Sequence, residues 1–206
     1  MITIKQKPME LPRQTWIRLV KEVYKEGEHK IDQRNNRVIS YYNTCTIFSL
    51  PHIFLDECFI DNPRLERSFF EELITPHKGE FAYTYGNRIN EHNQIKEVIK
   101  KLKEDKNTRR AVIDIFRPTD ISSGKEIPCA TQLHFNFNKR KLNLTCIMRS
   151  NDVVGAYPSD VYGFIHLLKY IGKKTGLPVG LYTHIVTDTH IILDHYEDKL
   201  KQLRIK

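Results

Sequence analysis

The stretch TQLHFNFNKRKLNLTCIM, residues 131–148, decides the fold class. Its first half alternates, with Leu133, Phe135 and Phe137 on one side and Gln132, His134 and Asn136 on the other. A period of two is the signature of a strand with one buried face. Residues 142–148 read as a second strand, and Lys139, Arg140 and Lys141 between them as a hairpin turn with charged tips. Upstream, residues 109–116 (RRAVIDIF) predict a third strand. An amphipathic helix precedes it over about 93–105, with Ile95, Val98, Ile99 and Leu102 on one face. Residues 37–55 are β-branched and aromatic and predict strands. Residues 12–26 predict a helix, with Trp16, Val20, Val23 and Tyr24 on one stripe and Gly27 at its stop. Between 56 and 90, Pro63, Pro76, Gly79 and Gly86 break the pattern into short pieces. Downstream, residues 158–161 open a long apolar helix with Ser159 or Asp160 near its N-cap. A strand at about 181–187 and a short helix at about 188–202 close the chain. The expected class is α/β, with antiparallel or mixed strands and a long buried helix. No repeat or linker interrupts it, so residues 1–206 are expected to form one domain.

Composition narrows the function classes. A chain of 206 residues buries about 70% of its unfolded surface and needs no staples. Its mean hydropathy is −0.50, and it has no apolar run of ~18 residues, which speaks against a membrane span. The start, MITIKQKPMELPRQ, carries no apolar signal core. Ten Phe and ten Tyr exclude a disordered chain. Four cysteines without a CxxC pair point to a reduced, cytoplasmic protein. The net charge of +8 implies an anionic partner, whether nucleic acid, nucleotide phosphate or acidic surface, unless it is only a solvated basic surface.

Cys129 follows Pro128 and precedes a strand. A thiolate is a strong nucleophile, and a nearby arginine lowers a thiol's pKa; the plain alternative is a buried, inert cysteine. Cys45, Cys58 and Cys146 sit within apolar stretches and keep that plain reading. Arg109-Arg110 stand at a helix-to-strand junction and Arg149-Ser150 at a strand end, where a guanidinium fork and a hydroxyl could clamp phosphate.

Together, Pro128-Cys129, ArgSerAsnAsp (149–152), Pro158-Ser159-Asp160 and AspThrHis (188–190) resemble the ordered motifs of the thymidylate synthase family. The intervals from Cys129 to Asp160 (31) and from Arg149 to Asp160 (11) match its spacing. LysAsnThrArgArg (106–110) resembles its paired arginines, and Tyr85-Gly86 its Tyr-Gly turn. Glu26-Gly27 with Asp32 and Arg34 resembles its N-terminal phosphate loop. The resemblance is strong from about 83 to 198 and weak from 35 to 80. It implies a mixed, mostly antiparallel sheet with helices on one face and a homodimer through the other. It also implies a pyrimidine nucleoside monophosphate as substrate, methylenetetrahydrofolate as co-substrate, and no metal. Cys129 would add to C6 of the base. Arg34, Arg149 and Ser150 would hold the phosphate, joined by Arg109 and Arg110 from the second subunit. Arg149 would also favour the Cys129 thiolate. Asp152 would meet the pterin, Tyr85 would assist proton removal at C5, and His190 would bind the ribose. The catalytic glutamate falls in the weak region, with Glu57 as the first placement and Glu72 as the second.

Four departures from the family pattern bear on function. The base-reading Asn is Asp160 here. A carboxamide matches the N3–H donor and O4 acceptor of uracil, whereas an acid sharing one proton matches the N3 acceptor and 4-amino donor of cytosine. The alternative is that Asp160 is only a helix cap. Within the family this change marks the deoxycytidylate hydroxymethylases, which add water rather than hydride, although cytosine-specific methylases also occur. The Tyr of the Asp-x-His-x-Tyr motif is Ile192, which opens the choice between dCMP and CMP. The His after the nucleophile is Ala130 and the Gln five positions on is His134, which either enters the site or is a hydrogen-bonded strand histidine. The sequence stops at Lys206, soon after the last motif, where the family carries a further segment that closes over folate; the expectation is easier access of water to the reactive carbon, which favours hydroxymethylation or a crippled enzyme. The only Trp is Trp16, in the first helix, so the folate contacts are poorly defined. The expected activity is 5-hydroxymethylation of dCMP or CMP. Methylation of dCMP or dUMP is the alternative, and a non-catalytic nucleic-acid binder a further one. The expected source is a phage-like virus with modified DNA, acting in the host cytoplasm, or a nucleoside-antibiotic pathway.

Overall fold

A computed structural model describes residues 2–5, 12–49, 72–76, 83–122 and 126–205. A sheet of seven strands organises them: β1 (Thr3–Lys5), β2 (Glu28–Ile31), β3 (Arg37–Ser49), β4 (Val112–Asp114), β5 (Ala130–Asn138), β6 (Lys141–Asp152) and β7 (Val179–Ile192). Their order is β1-β3-β7-β6-β5-β4, with β2 paired to β3. The β2–β3, β3–β7, β4–β5 and β5–β6 pairs are antiparallel, while β1–β3 and β6–β7 are parallel. The mixed, mostly antiparallel sheet is the one expected.

The helices are α1 (Pro12–Glu26), α2 (Tyr85–Asn90), α3 (Gln94–Glu104), α4 (Tyr157–Thr175) and α5 (Leu193–Gln202). Helix α1 begins on a proline, whose missing N–H is no loss there, and buries Thr15, Trp16, Leu19, Val20 and Val23. The Trp16 indole donates to Val153 O at 2.6 Å and ties α1 to the end of β6. Helix α4 is the crossover that a parallel pair requires, and it packs on β6 and β7. It ends at Gly176, whose φ of +73° suits a residue without a Cβ. Gln94 brackets β4: its Oε1 accepts from Asp114 N and its Nε2 donates to Asp114 O.

Several boundaries differ from expectation. The β5–β6 turn is two residues, Lys139 and Arg140, both left-handed (φ +49° and +61°), and Lys141 already belongs to β6. Such turns match the twist of the flanking strands. Of residues 109–116 only 112–114 form a strand, because the amides of Ile115 and Phe116 converge on one carbonyl, Thr131 O. Residues 188–192 are strand, not helix, and α5 starts at Leu193. The 37–55 segment is one strand as far as Ser49; residues 50–71, Glu57 and Cys58 among them, lie outside the described residues.

Burial along the long strands changes phase at one level. In β6, Leu142, Leu144, Cys146 and Met148 are buried, then Asn151. In β7 the buried residues are Tyr182, His184 and Val186, then Thr189 and Ile191. In β5 they are Ala130, then Leu133 and Phe135. The breaks fall at Arg149, Thr187 and Thr131, with left-handed Asn43 (φ +59°) at the same level in β3. Past that level, Ser150, Asp188 and His190 leave the face they would otherwise occupy and turn toward an open end of the sheet.

Candidate active site

That open end holds a cavity of about 470 Å³, lined by Cys129 together with Tyr83, Tyr85, Asn151, Asp152, Asp160, His190 and Ile192. A second cavity of about 280 Å³ adjoins it through His190 and carries Arg149, Ser150, Lys30 and Asp188.

Cys129 sits just before β5. The Arg149 amide donates to Cys129 O at 2.9 Å. The Arg149 guanidinium donates to Pro128 O and Ile127 O, both at 3.0 Å. One arginine thus ties down the three residues that present the Cys129 thiol. Ser150 Oγ lies 3.6 Å and Arg149 Nη2 3.8 Å from Cys129 Sγ. Burial raises the thiol's pKa, while Ser150 and the Arg149 charge pull it back. The expected help from Arg149 is present, but burial outweighs it: the net shift is upward, and the resting side chain is a thiol.

Tyr85 opens α2, which Thr84 caps by accepting from Asn87 N at 3.1 Å. Its hydroxyl accepts from Ala130 N at 3.1 Å. Tyr83, which the motif reading passed over, takes the neighbouring backbone hydrogen bond at Cys129, and burial pushes its pKa up to about 12. Gly86 is required where it stands, because a Cβ there would overlap Glu72 O. That close approach holds Glu72 at the cavity, which it lines. Glu72, the second of the two glutamates singled out in the sequence, thus lines the cavity, whereas Glu57 lies outside the described residues.

Asp160 is in the first turn of α4 and 4% exposed. It is not a cap. Ala156 is the N-cap residue and makes no side-chain cap bond; Asp160 Oδ2 instead accepts from Asn151 Nδ2 at 2.6 Å. Burial pushes the Asp160 carboxyl up to about 7, against the pull of Asn151. The expectation that Ser159 or Asp160 caps this helix is thus corrected. Asp152 accepts from Val154 N and Gly155 N on Oδ1 and from the Tyr196 hydroxyl on Oδ2.

His134 does not reach the cavity. It lies on the opposite face of β5 with its Nε2 3.0 Å from Gln132 Oε1, as a hydrogen-bonded strand histidine. Arg34, at the tip of the β2–β3 hairpin, lines the Cys129 cavity and pairs with Glu126 at 2.6 Å. Arg109 and Arg110 are exposed and line neither cavity. Sequence reasoning also missed Asn151, which was read only as the spacer between Ser150 and Asp152, and Lys30, whose Nζ donates to Asp188 Oδ2 at 3.2 Å. Among the described residues no cluster of His, Cys, Asp and Glu could hold a metal ion. No helix among them is long and apolar enough to cross a membrane.

Comparison with known proteins agrees with this geometry. Residues 65–206 match the family model for thymidylate synthase. The chain is 31% identical over 195 residues to a protein of Methanococcoides burtonii named "Putative thymidylate synthase", covering 91% of this chain and 89% of that one. Proteins of the same name from Methanosarcina mazei and Methanocaldococcus jannaschii are 30% and 31% identical, again over 89% of their length.

Proposed function

The chain belongs to the thymidylate synthase family, and on that premise we propose that it makes a 5-hydroxymethyl cytosine nucleotide from dCMP or CMP. At family level it is a one-carbon transferase acting at C5 of a pyrimidine nucleotide, with methylenetetrahydrofolate as co-substrate. The observation that carries the finer reading is Asp160: a buried acid on the Cys129 cavity, free of any capping duty, and half protonated near neutral pH. A neutral carboxyl offers O–H to cytosine N3 and a carbonyl oxygen to the 4-amino group. Facing uracil, the ionised carboxylate would set acceptor against the O4 acceptor, at about 1–3 kcal/mol for the unpaired atoms.

The residues divide the chemistry. Cys129 Sγ bonds to C6 and the ring electrons move to C5. Arg149 and Ser150, which hold the sulfur, also face the second cavity, where a 5′-phosphate can take the guanidinium fork. His190 stands where both cavities meet, beside the sugar. Tyr83 and Tyr85, anchored on the Cys129 and Ala130 amides, sit beside C5 to pass its proton. Glu72 is the carboxylate best placed to order water. Bound methylenetetrahydrofolate supplies the one-carbon unit as an electrophile. Asp152 fits its pterin: three donors occupy a carboxylate with about four acceptor sites, which leaves one for a ring N–H. Water would then add to the carbon carried by C5 once its bond to the folate nitrogen has broken and tetrahydrofolate has left, and Cys129 would leave as the thiol.

Two features support a homodimer. Arg109 and Arg110 face solvent, away from the cavities of their own chain. The sheet face opposite α1 and α4 carries partly exposed Cys45, Ile185 and Ile147 side by side, with Ile47 diagonal to Ile185. A second reading, methylation of dUMP, is favoured by the names of the relatives.

The test is to incubate the protein with methylenetetrahydrofolate and dCMP, CMP or dUMP and to weigh the products. Gain of CH2O on dCMP or CMP is expected. Gain of CH2 on dUMP would establish the second reading. No adduct on any of the three would refute both.

A further inference from the structure

We propose that Asn151 fixes which oxygen of Asp160 carries the shared proton, and so sets the register of that acid against the cytosine edge; this rests on the cytosine reading above. Asn151 is 1% exposed and lines the Cys129 cavity. It stands on β6 just past the level where burial changes phase, which turns it toward Asp160 rather than away from it. Its Nδ2 donates to Asp160 Oδ2 at 2.6 Å.

A neutral carboxyl has one carbonyl oxygen and one hydroxyl oxygen, and an N–H donor belongs on the carbonyl. With Oδ2 so occupied, the proton resides on Oδ1. The acid then presents Oδ1–H to cytosine N3, while the free lone pair of Oδ2 takes a 4-amino hydrogen. Without Asn151 the two oxygens are equivalent, and half of the neutral acid presents its groups in the reversed order. The other end of Asn151 points the same way. Its Oδ1 is buried without a hydrogen-bond partner, and a buried acceptor left alone is costly. A base edge bearing an amino group supplies a donor beside it, whereas uracil O4 brings another acceptor. Asn151 is thus a positioning residue that acts through Asp160.

The ionisable groups around Asp160 are Asp152 and Cys146 on β6, Cys129 ahead of β5, Tyr83 and Tyr85 at the start of α2, and Tyr182 on β7. Arg34, Glu72, Glu126 and His190 line the same cavity, but the group that acts on Asp160 to favour the charged acid is the Asn151 N–H. Its removal raises the Asp160 pKa.

Two variants of similar shape test this, Asn151→Leu and Asn151→Asp, each checked for a cooperative thermal transition. Each is assayed for the ratio of kcat/KM on dCMP to that on dUMP and for the pH profile on dCMP. The ratio is expected to fall by about two- to tenfold in both, the worth of one hydrogen bond to a neutral group. The acidic break of the profile is expected to move to higher pH, furthest in Asn151→Asp, where two carboxyls share a proton. The Asp variant carries the test if the Leu variant does not fold. An unchanged ratio and an unmoved break in a folded variant would overturn the inference and leave the cytosine reading standing. Wild-type turnover of dUMP alone would overturn both.

Discussion

Replacing Asp160 by Asn should move the enzyme from cytosine to uracil. To match uracil the new carboxamide turns its oxygen to N3–H and its amide nitrogen to O4, and Asn151, whose Oδ1 is otherwise without a hydrogen-bond partner, turns over so that this oxygen accepts from the new amide in place of the 2.6 Å hydrogen bond to Asp160. Two contacts become mismatched with cytosine, one at N3 and one at the 4-amino group. Because the side chain is 4% exposed, water cannot repair them. At about 1–3 kcal/mol for each unpaired group, the loss on dCMP is roughly 2–6 kcal/mol. At about 1.36 kcal/mol per decade, the kcat/KM ratio of dCMP to dUMP falls by about 30-fold to 10⁴-fold. The assay is competition: equal dCMP and dUMP in one tube with methylenetetrahydrofolate, and the two products quantified by mass. A folded Asp160→Asn protein with an unchanged product ratio would refute the idea that this residue reads the base.

Other parts of the structure lead to further expected outcomes. On dCMP the productive enzyme needs the Asp160 proton and the Cys129 thiolate together. Since burial has raised both groups, kcat/KM should climb with pH to a break near about 7, stay flat, and fall beyond the pKa of the thiol; a profile without the lower break would remove Asp160 from the reaction. Cys129→Ser should leave the thermal transition in place but abolish the covalent adduct with nucleotide, measured by intact-protein mass. Gly86→Ala must part Glu72 from α2 and should cost about 1–3 kcal/mol or more, read as a lowered urea midpoint together with lost activity. Arg88 and Asp120 form a buried bidentate pair with contacts of 3.1 and 2.7 Å. Asp120→Ala should cost about 3–5 kcal/mol, because it leaves the guanidinium buried and unpaired. Burial raises the Asp120 pKa, but its hydrogen bonds with Arg88 and the Arg117 amide, aided by both arginine charges, hold it below the ordinary value. Its stabilisation is therefore full above the ordinary carboxylate range and is lost as pH falls through the depressed value, which urea melts across acid pH would register.

The strands with clean alternation were legible, 131–137 above all, because a period of two survives wherever one face is buried. The motif residues Cys129, Arg149, Ser150, Asp152, Asp160 and His190 were legible too, and the fold brings them around two joined cavities. What stayed hidden is contact between residues distant in sequence. Nothing along the chain says that Tyr83 and Tyr85 take backbone hydrogen bonds at adjacent residues, or that Asn151 donates to a residue nine positions on. The Asp160 cap was a reasonable local reading, since an acid in a first turn suits a helix N-terminus; a tertiary donor won. The sequence left His134 open between the site and a hydrogen-bonded strand position for a related reason. Alternation gives a side chain's face but not which face meets the cavity, and that depends on a phase change at Thr131 that the letters do not announce.

That phase change, at one level across β3, β7, β6 and β5, has a consequence for how this molecule can vary. Each long strand is two panels in series. One panel, with Leu144, Cys146, Tyr182 and Val186, is a packing wall whose members can be exchanged for others of like volume. The other, with Ser150, Asn151, Asp188 and His190, is a shelf for reagents. Because the seam is shared, a new substrate preference can be installed by substitutions on the shelf alone. An insertion in any single strand, by contrast, would put its wall and its shelf out of step with those of its neighbours. The architecture thus confines innovation to point replacements on one side of a line, and it makes the two halves separately engineerable.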